Sequence, residues 1–171
     1  MSLARCASCG IAVLLATAMP AFAAMPAPGR EMRPMRFLVG TWDCAGRFVS
    51  SGKPIASTIR FNFDVGSRVL VKHHDDKPPN GYHAIEDWVA KRDGGYAAAI
   101  VDGYSGVREF DATGWKHDSL TWQSDAGITP DQRFVYTRLG AGLFRLDWEV
   151  SRDGTSWKTG DTLTCKRRRV A

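Results

Sequence analysis

From Gly40 onward, apolar and polar residues alternate with a period of two, and turn-forming clusters break the pattern at short intervals. Such a pattern leaves room for little besides antiparallel β structure. Leu143 to Ser151 carries it most clearly: Phe144, Leu146, Trp148 and Val150 share one phase, and Arg145, Asp147 and Glu149 share the other. That is the signature of a strand with one face in a core and one in water. Ile55 to Asp64 repeats it, with Ile55, Ile59, Phe61 and Phe63 set against Arg60, Asn62 and Asp64. The clusters Arg92-Asp93-Gly94-Gly95, Gly140-Ala141-Gly142 and Arg152-Asp153-Gly154-Thr155 hold the residues that tolerate positive φ in tight hairpins. Ten strands are predicted, over residues 40–50, 55–65, 67–76, 82–92, 95–102, 105–112, 115–124, 132–139, 143–151 and 157–169.

A meander of ten strands has two exposed edges unless it closes on itself. The predicted fold class is therefore all-β, an antiparallel up-and-down barrel of about ten strands, with a two-sheet sandwich as the alternative. A short helical turn over Glu31 to Leu38 caps one end. At 171 residues the chain fits one domain, and its 44% hydrophobic and 24% charged content is that of a globular protein. The net charge of +5 is not gathered on one identifiable face, so nucleic acid is not an expected partner.

The N-terminus reads as an export signal over residues 1–23: Arg5 in the n-region, Ile11 to Ala18 as the apolar stretch, and Ala21-Phe22-Ala23 before the cleavage point. The apolar run is too short to span a bilayer, so no stable membrane insertion is expected. Residues 24–36, rich in proline, form an extended lead-in, and the barrel domain occupies 37–171. Cys6 and Cys9 have redox or metal spacing but fall in the n-region and would leave with the signal. Cys44 and Cys165 remain. In an oxidising compartment, periplasmic or extracellular, a disulfide is the favoured reading, with two buried thiols as the alternative. The bond would join the first strand to the last.

The Gly-Thr-Trp at Gly40 to Trp42, behind a short helical lead-in, resembles the first strand of the lipocalins and their relatives in the calycin group, including the fatty-acid-binding proteins and nitrobindin-like barrels. F-L-V-G-T-W at Phe37 to Trp42, together with S-R-D-G-T-S-W at Ser151 to Trp157, is similar to a family of small, mostly bacterial barrels of unknown function. The resemblance implies a barrel more than an activity. It gives Gly40 and Trp42 a structural role, with Trp42 plugging the closed end. Nitrobindin-like proteins bring an axial histidine from the C-terminal part of the barrel. The last two strands here have none, the histidines being His73, His74, His83 and His117, so haem is disfavoured and the cofactor is left open.

A ten-stranded barrel is wider than the eight-stranded type that side chains can just fill, so part of the interior should stay open. Candidate wall residues are Phe61, Phe63, Tyr96, Phe134, Tyr136, Phe144, Leu146 and Trp148, each of which would serve equally as plain core. A weaker constellation is His73, Asp75 and His83, which a hairpin between the third and fourth strands would place together as metal ligands or as a solvated rim. The tail Lys166 to Arg169 reads as the solvated end of the last strand, with an anionic surface as the other option.

No nucleophile elbow, phosphate loop, dinucleotide fingerprint or His-Glu-x-x-His occurs. The expectation is a barrel of unknown specific function that binds a small hydrophobic molecule inside, in preference to catalysis. The alternatives are a metal-dependent protein or enzyme using polar groups at the barrel mouth, and a purely structural envelope protein with a filled interior. Convergent His, Asp and Arg groups in the cavity would favour the enzyme.

Overall fold

The computed structural model describes residues 29–103 and 106–169. The proposed signal segment, with Cys6 and Cys9, lies outside the described residues. The strands are β1 (Gly40–Phe48), β2 (Pro54–Asp64), β3 (Val69–Asp76), β4 (His83–Ala90), β5 (Tyr96–Asp102), β6 (Gly106–Ala112), β7 (Ser119–Ser124), β8 (Asp131–Gly140), β9 (Leu143–Ser151) and β10 (Lys158–Arg167). Each pairs antiparallel with its neighbour in sequence, and β1 pairs with β10 to close the barrel. Closure removes both free edges, and the sandwich alternative is excluded.

The alternation read in the sequence is the inside–outside alternation of the wall. Along β2, Ile55, Ser57, Ile59, Phe61 and Phe63 are buried and their neighbours face out. Strand β7 is shorter than the predicted 115–124. His117 adopts positive φ, and Lys116 is joined to Ser119 only by an isolated bridge, so the approach to β7 is a turn. Only two residue pairs, Phe110↔Ser124 and Asp111↔Gln123, register β6 against β7.

A 3-10 helix, Arg30–Leu38, crosses one end of the barrel. Pro34 lies inside it and has no amide to donate. With three residues per turn, Met32, Met35 and Leu38 align on one face, and all three are fully buried. Trp42 lies beneath them, donating its indole N–H to the Leu38 carbonyl at 2.7 Å, with its ring 4.7 Å from that of Phe144 and 5.7 Å from that of Phe37. Below Trp42, the side chains of Trp88, Trp122, Tyr136 and Phe61 pack ring against ring. The half of the barrel under the helix is therefore solid.

The β1–β10 seam is covalent. Cys44 and Cys165 are register partners with Cα atoms 4.0 Å apart, joined by a disulfide. Gly46 lets the two strands approach closely just above it, because a Cβ there would lie 1.7 Å from the Thr162 carbonyl oxygen.

Candidate functional site

The opposite half is open. A cavity of about 430 Å³ lies among the ends of β1, β2, β3, β4, β5, β6, β8, β9 and β10, beneath the hairpins that face away from the helix. Its apolar wall is formed by Phe48, Ile55, Phe134, Leu146, Trp148 and Leu163. Its polar lining is built from inward positions of the same strands, and β3 supplies three in succession. Lys72, His74 and Asp76 share the inward phase of Leu70, while His73 and Asp75 take the outward phase.

Most of the polar groups are wired to one another. Lys72 Nζ lies 2.5 Å from Glu86 Oε1, both side chains are almost wholly buried at 1% and 3% exposure, and Trp88 donates its indole N–H to the second Glu86 oxygen at 2.9 Å. Arg108 pairs with Asp102 and donates to Gln132 Oε1 at 2.6 Å, with the Tyr82 hydroxyl 3.5 Å from both Arg108 and Asp102. Burial holds the Tyr82 phenol above its ordinary range. Asp76 Oδ1 accepts from Ser57 Oγ at 2.5 Å and lies 3.1 Å from His74 Nε2. Burial lowers the His74 pKa, keeping the ring neutral near pH 7. Serine, histidine and aspartate thus meet, but both partners bind the same carboxylate oxygen. His74 is not placed to take the Ser57 proton, as a nucleophilic relay requires.

Asp161 is different. Among the described residues its carboxyl group has no hydrogen-bond or ion-pair partner. It shares the inward phase of Leu163 and Cys165 on β10, and one extra residue between Thr159 and Asp161 breaks the alternation on its other side. Gly160 is that residue, and only glycine fits there, since a Cβ would lie 2.4 Å from the Trp148 ring. Burial, followed by the nearby Asp76 and Asp147 carboxylates, pushes the Asp161 pKa up to about 7, with Lys72 acting the other way.

In the unfolded chain Asp161 ionises near 3.8, and in the fold near 7. Its protonated form is thus favoured by folding, and stability is lost as pH rises from about 4 through 7. Asp161→Asn should stabilise the protein at about pH 8 by a few kcal/mol, and add nothing below about pH 4. Thermal melts of both proteins across that range check it. Gly160→Ala should displace the Trp148 indole, at a cost of about 1–3 kcal/mol in denaturant unfolding.

Of the sequence-derived wall residues, Phe134, Leu146 and Trp148 line this cavity. Phe61, Phe63, Tyr136 and Phe144 belong to the packed core, and the Tyr96 hydroxyl donates to the Glu31 carbonyl at 2.9 Å beside the helix. Sequence reasoning missed Lys72, His74, Asp76, Glu86, Asp102, Arg108 and Asp161. His83 and Asp75 do meet, with Nδ1 3.1 Å from Oδ1, but at the exposed outer rim. Among the described residues no three His, Cys, Asp or Glu side chains gather as metal ligands would.

No protein-family model matches the chain. No curated protein matches it either. Among solved structures, Rv2717c from M. tuberculosis superposes with a TM-score of 0.62 at 12% identity, over 84% of this chain and 100% of that one. The likeness extends to the barrel fold. Two further barrels align more loosely: EF1p2_mFAP2b bound to DFHBI, at TM-score 0.44, 13% identity and 81% and 99% coverage, and a redesigned beta barrel, b11L5F_LGL, at TM-score 0.39, 14% identity and 80% and 96% coverage.

Proposed function

We propose that the chain is an exported, lipocalin-like barrel that binds a small molecule with a substantial apolar part in the cavity opposite the helix. The observation that carries this reading is the contrast between the two halves. The helix-capped half is packed with aromatic rings, while the other leaves about 430 Å³ open behind Phe48, Ile55, Leu146, Trp148 and Leu163. Apolar concavity with a few placed polar groups is the ordinary form of a small-molecule site. Burying roughly 200 Å² of ligand surface there would contribute about 5 kcal/mol before ordering costs. Export is supported by the Cys44–Cys165 disulfide, a bond that persists in oxidising compartments.

Mass spectra of organic extracts from protein purified out of its native compartment test the reading, alongside uptake of a fluorescent apolar probe. A co-purifying compound or saturable uptake is expected. Clean extracts with no uptake would contradict it.

A second reading, an enzyme working by proton transfer, is favoured by the convergence of His74, Asp76, Arg108 and Asp102 with an Asp161 carboxyl that titrates near neutrality. The wiring of Ser57 and His74 to one oxygen argues against a nucleophilic route. Turnover of the extracted compound by the purified protein would decide for catalysis.

A further inference from the structure

We infer that the cavity selects an organic cation, an amine with an apolar body, and that Asp161 is the group that receives its charge. The inference rests on the binding reading above and narrows it to a ligand class.

Lys72 is neutralised by Glu86 and Arg108 by Asp102. Asp76 is hydrogen-bonded to Ser57 and His74, and no Lys or Arg side chain pairs with it among the described residues. Asp161 adds a second negative charge when it ionises, with no cation bound to it among the described residues. The site is short of positive charge, and an ammonium group supplies it.

The second observation is independent of charge. On the barrel wall Asp161 is the direct register partner of Phe48 on β1 and of Trp148 on β9. Directly opposed residues on paired strands hold their side chains within contact distance. A carboxylate flanked by two aromatic side chains is the arrangement that binds alkylammonium groups, through ion pairing and attraction to the ring faces. Ile55, Leu146 and Leu163 continue the wall beyond it and receive the alkyl body.

Binding should depend on pH through Asp161. The charged groups around it are Asp76 and Lys72 across the cavity on β3, and Asp147 on the adjacent β9. Burial lowers the pKa of His74, also on β3, and Arg47 on β1 faces solvent. Protons compete with the ammonium for Asp161, so affinity should rise from about pH 6 to about pH 8 while the amine remains charged.

The test compares octylammonium, octanol and octanoate by calorimetry at about pH 8 with the full-length protein. Octylammonium should bind at least about tenfold more tightly than either. Asp161→Asn should lower the preference for octylammonium over octanol at least about fivefold. Equal affinities, or preference for octanoate, would overturn the inference and leave the binding reading standing. So would a preference for octylammonium that is undiminished in Asp161→Asn. Failure of all three to bind would overturn both. The pH series on the unmodified protein needs no variant, and a flat profile would also contradict the inference.

Discussion

Replacing Glu86 by Gln should lower the melting temperature by about 10 °C or more. Lys72 and Glu86 face each other inside the barrel with almost no exposure. Removing one partner strands the other as a buried charge, which costs about 3–5 kcal/mol. Glutamine keeps the shape and still offers an acceptor to the Trp88 indole, so the loss would report the charge and not the packing. Lys72 also lies 5.6 Å from the centre of the Tyr136 ring and 5.9 Å from that of Phe134, which add attraction but cannot replace a counterion. A double variant, Lys72→Met with Glu86→Gln, should recover much of the loss, because no unpaired charge then remains. Thermal melts of the two single variants and the double variant measure the coupling. Additive losses would show that the pair is not interacting.

Loss of the Cys44–Cys165 bond should cost about 5 kcal/mol in the chain-entropy account. The two cysteines are 121 positions apart, so the bond closes nearly the whole described chain into one loop. It also fastens the seam where the first and last strands meet, and every other strand pair joins neighbours in sequence. Without it, β1 and β10 should be the first strands to lose amide protection. Denaturant midpoints with and without reductant, and for a Cys44→Ala, Cys165→Ala variant, give the magnitude. Hydrogen exchange locates the loss, and unchanged protection in β1 and β10 would show that the sheet closes as firmly without the bond.

The fold was legible because alternation is a local property. Phe144, Leu146 and Trp148 announce their phase within nine residues, and that phase is the one facing the interior. The seam followed from an even count of cysteines. The polar cavity was harder to see for two reasons. His73 and His74 are adjacent, and only the phase set by Leu70 shows that His74 and not His73 points inward. Glu86 could have been found the same way, since it shares phase with Ala84 and Trp88 on β4. Asp161 could have been too, since it shares phase with Leu163 and Cys165; what alternation does not show is the break at Gly160, against the Trp148 ring of another strand. Division of the barrel into packed and open halves was equally hidden. Phe61 and Phe134 are alike in sequence terms, yet one packs against Trp88 and the other borders the cavity.

Methyl NMR during titration with octylammonium tests the central claim most directly. The methyl signals of Ile55, Leu146 and Leu163 should move with saturation, and those of Leu38, Leu70 and Leu120 in the packed half should stay in place. Shifts spread evenly over both groups, or no shifts at all, would contradict a ligand held in the open half of the barrel.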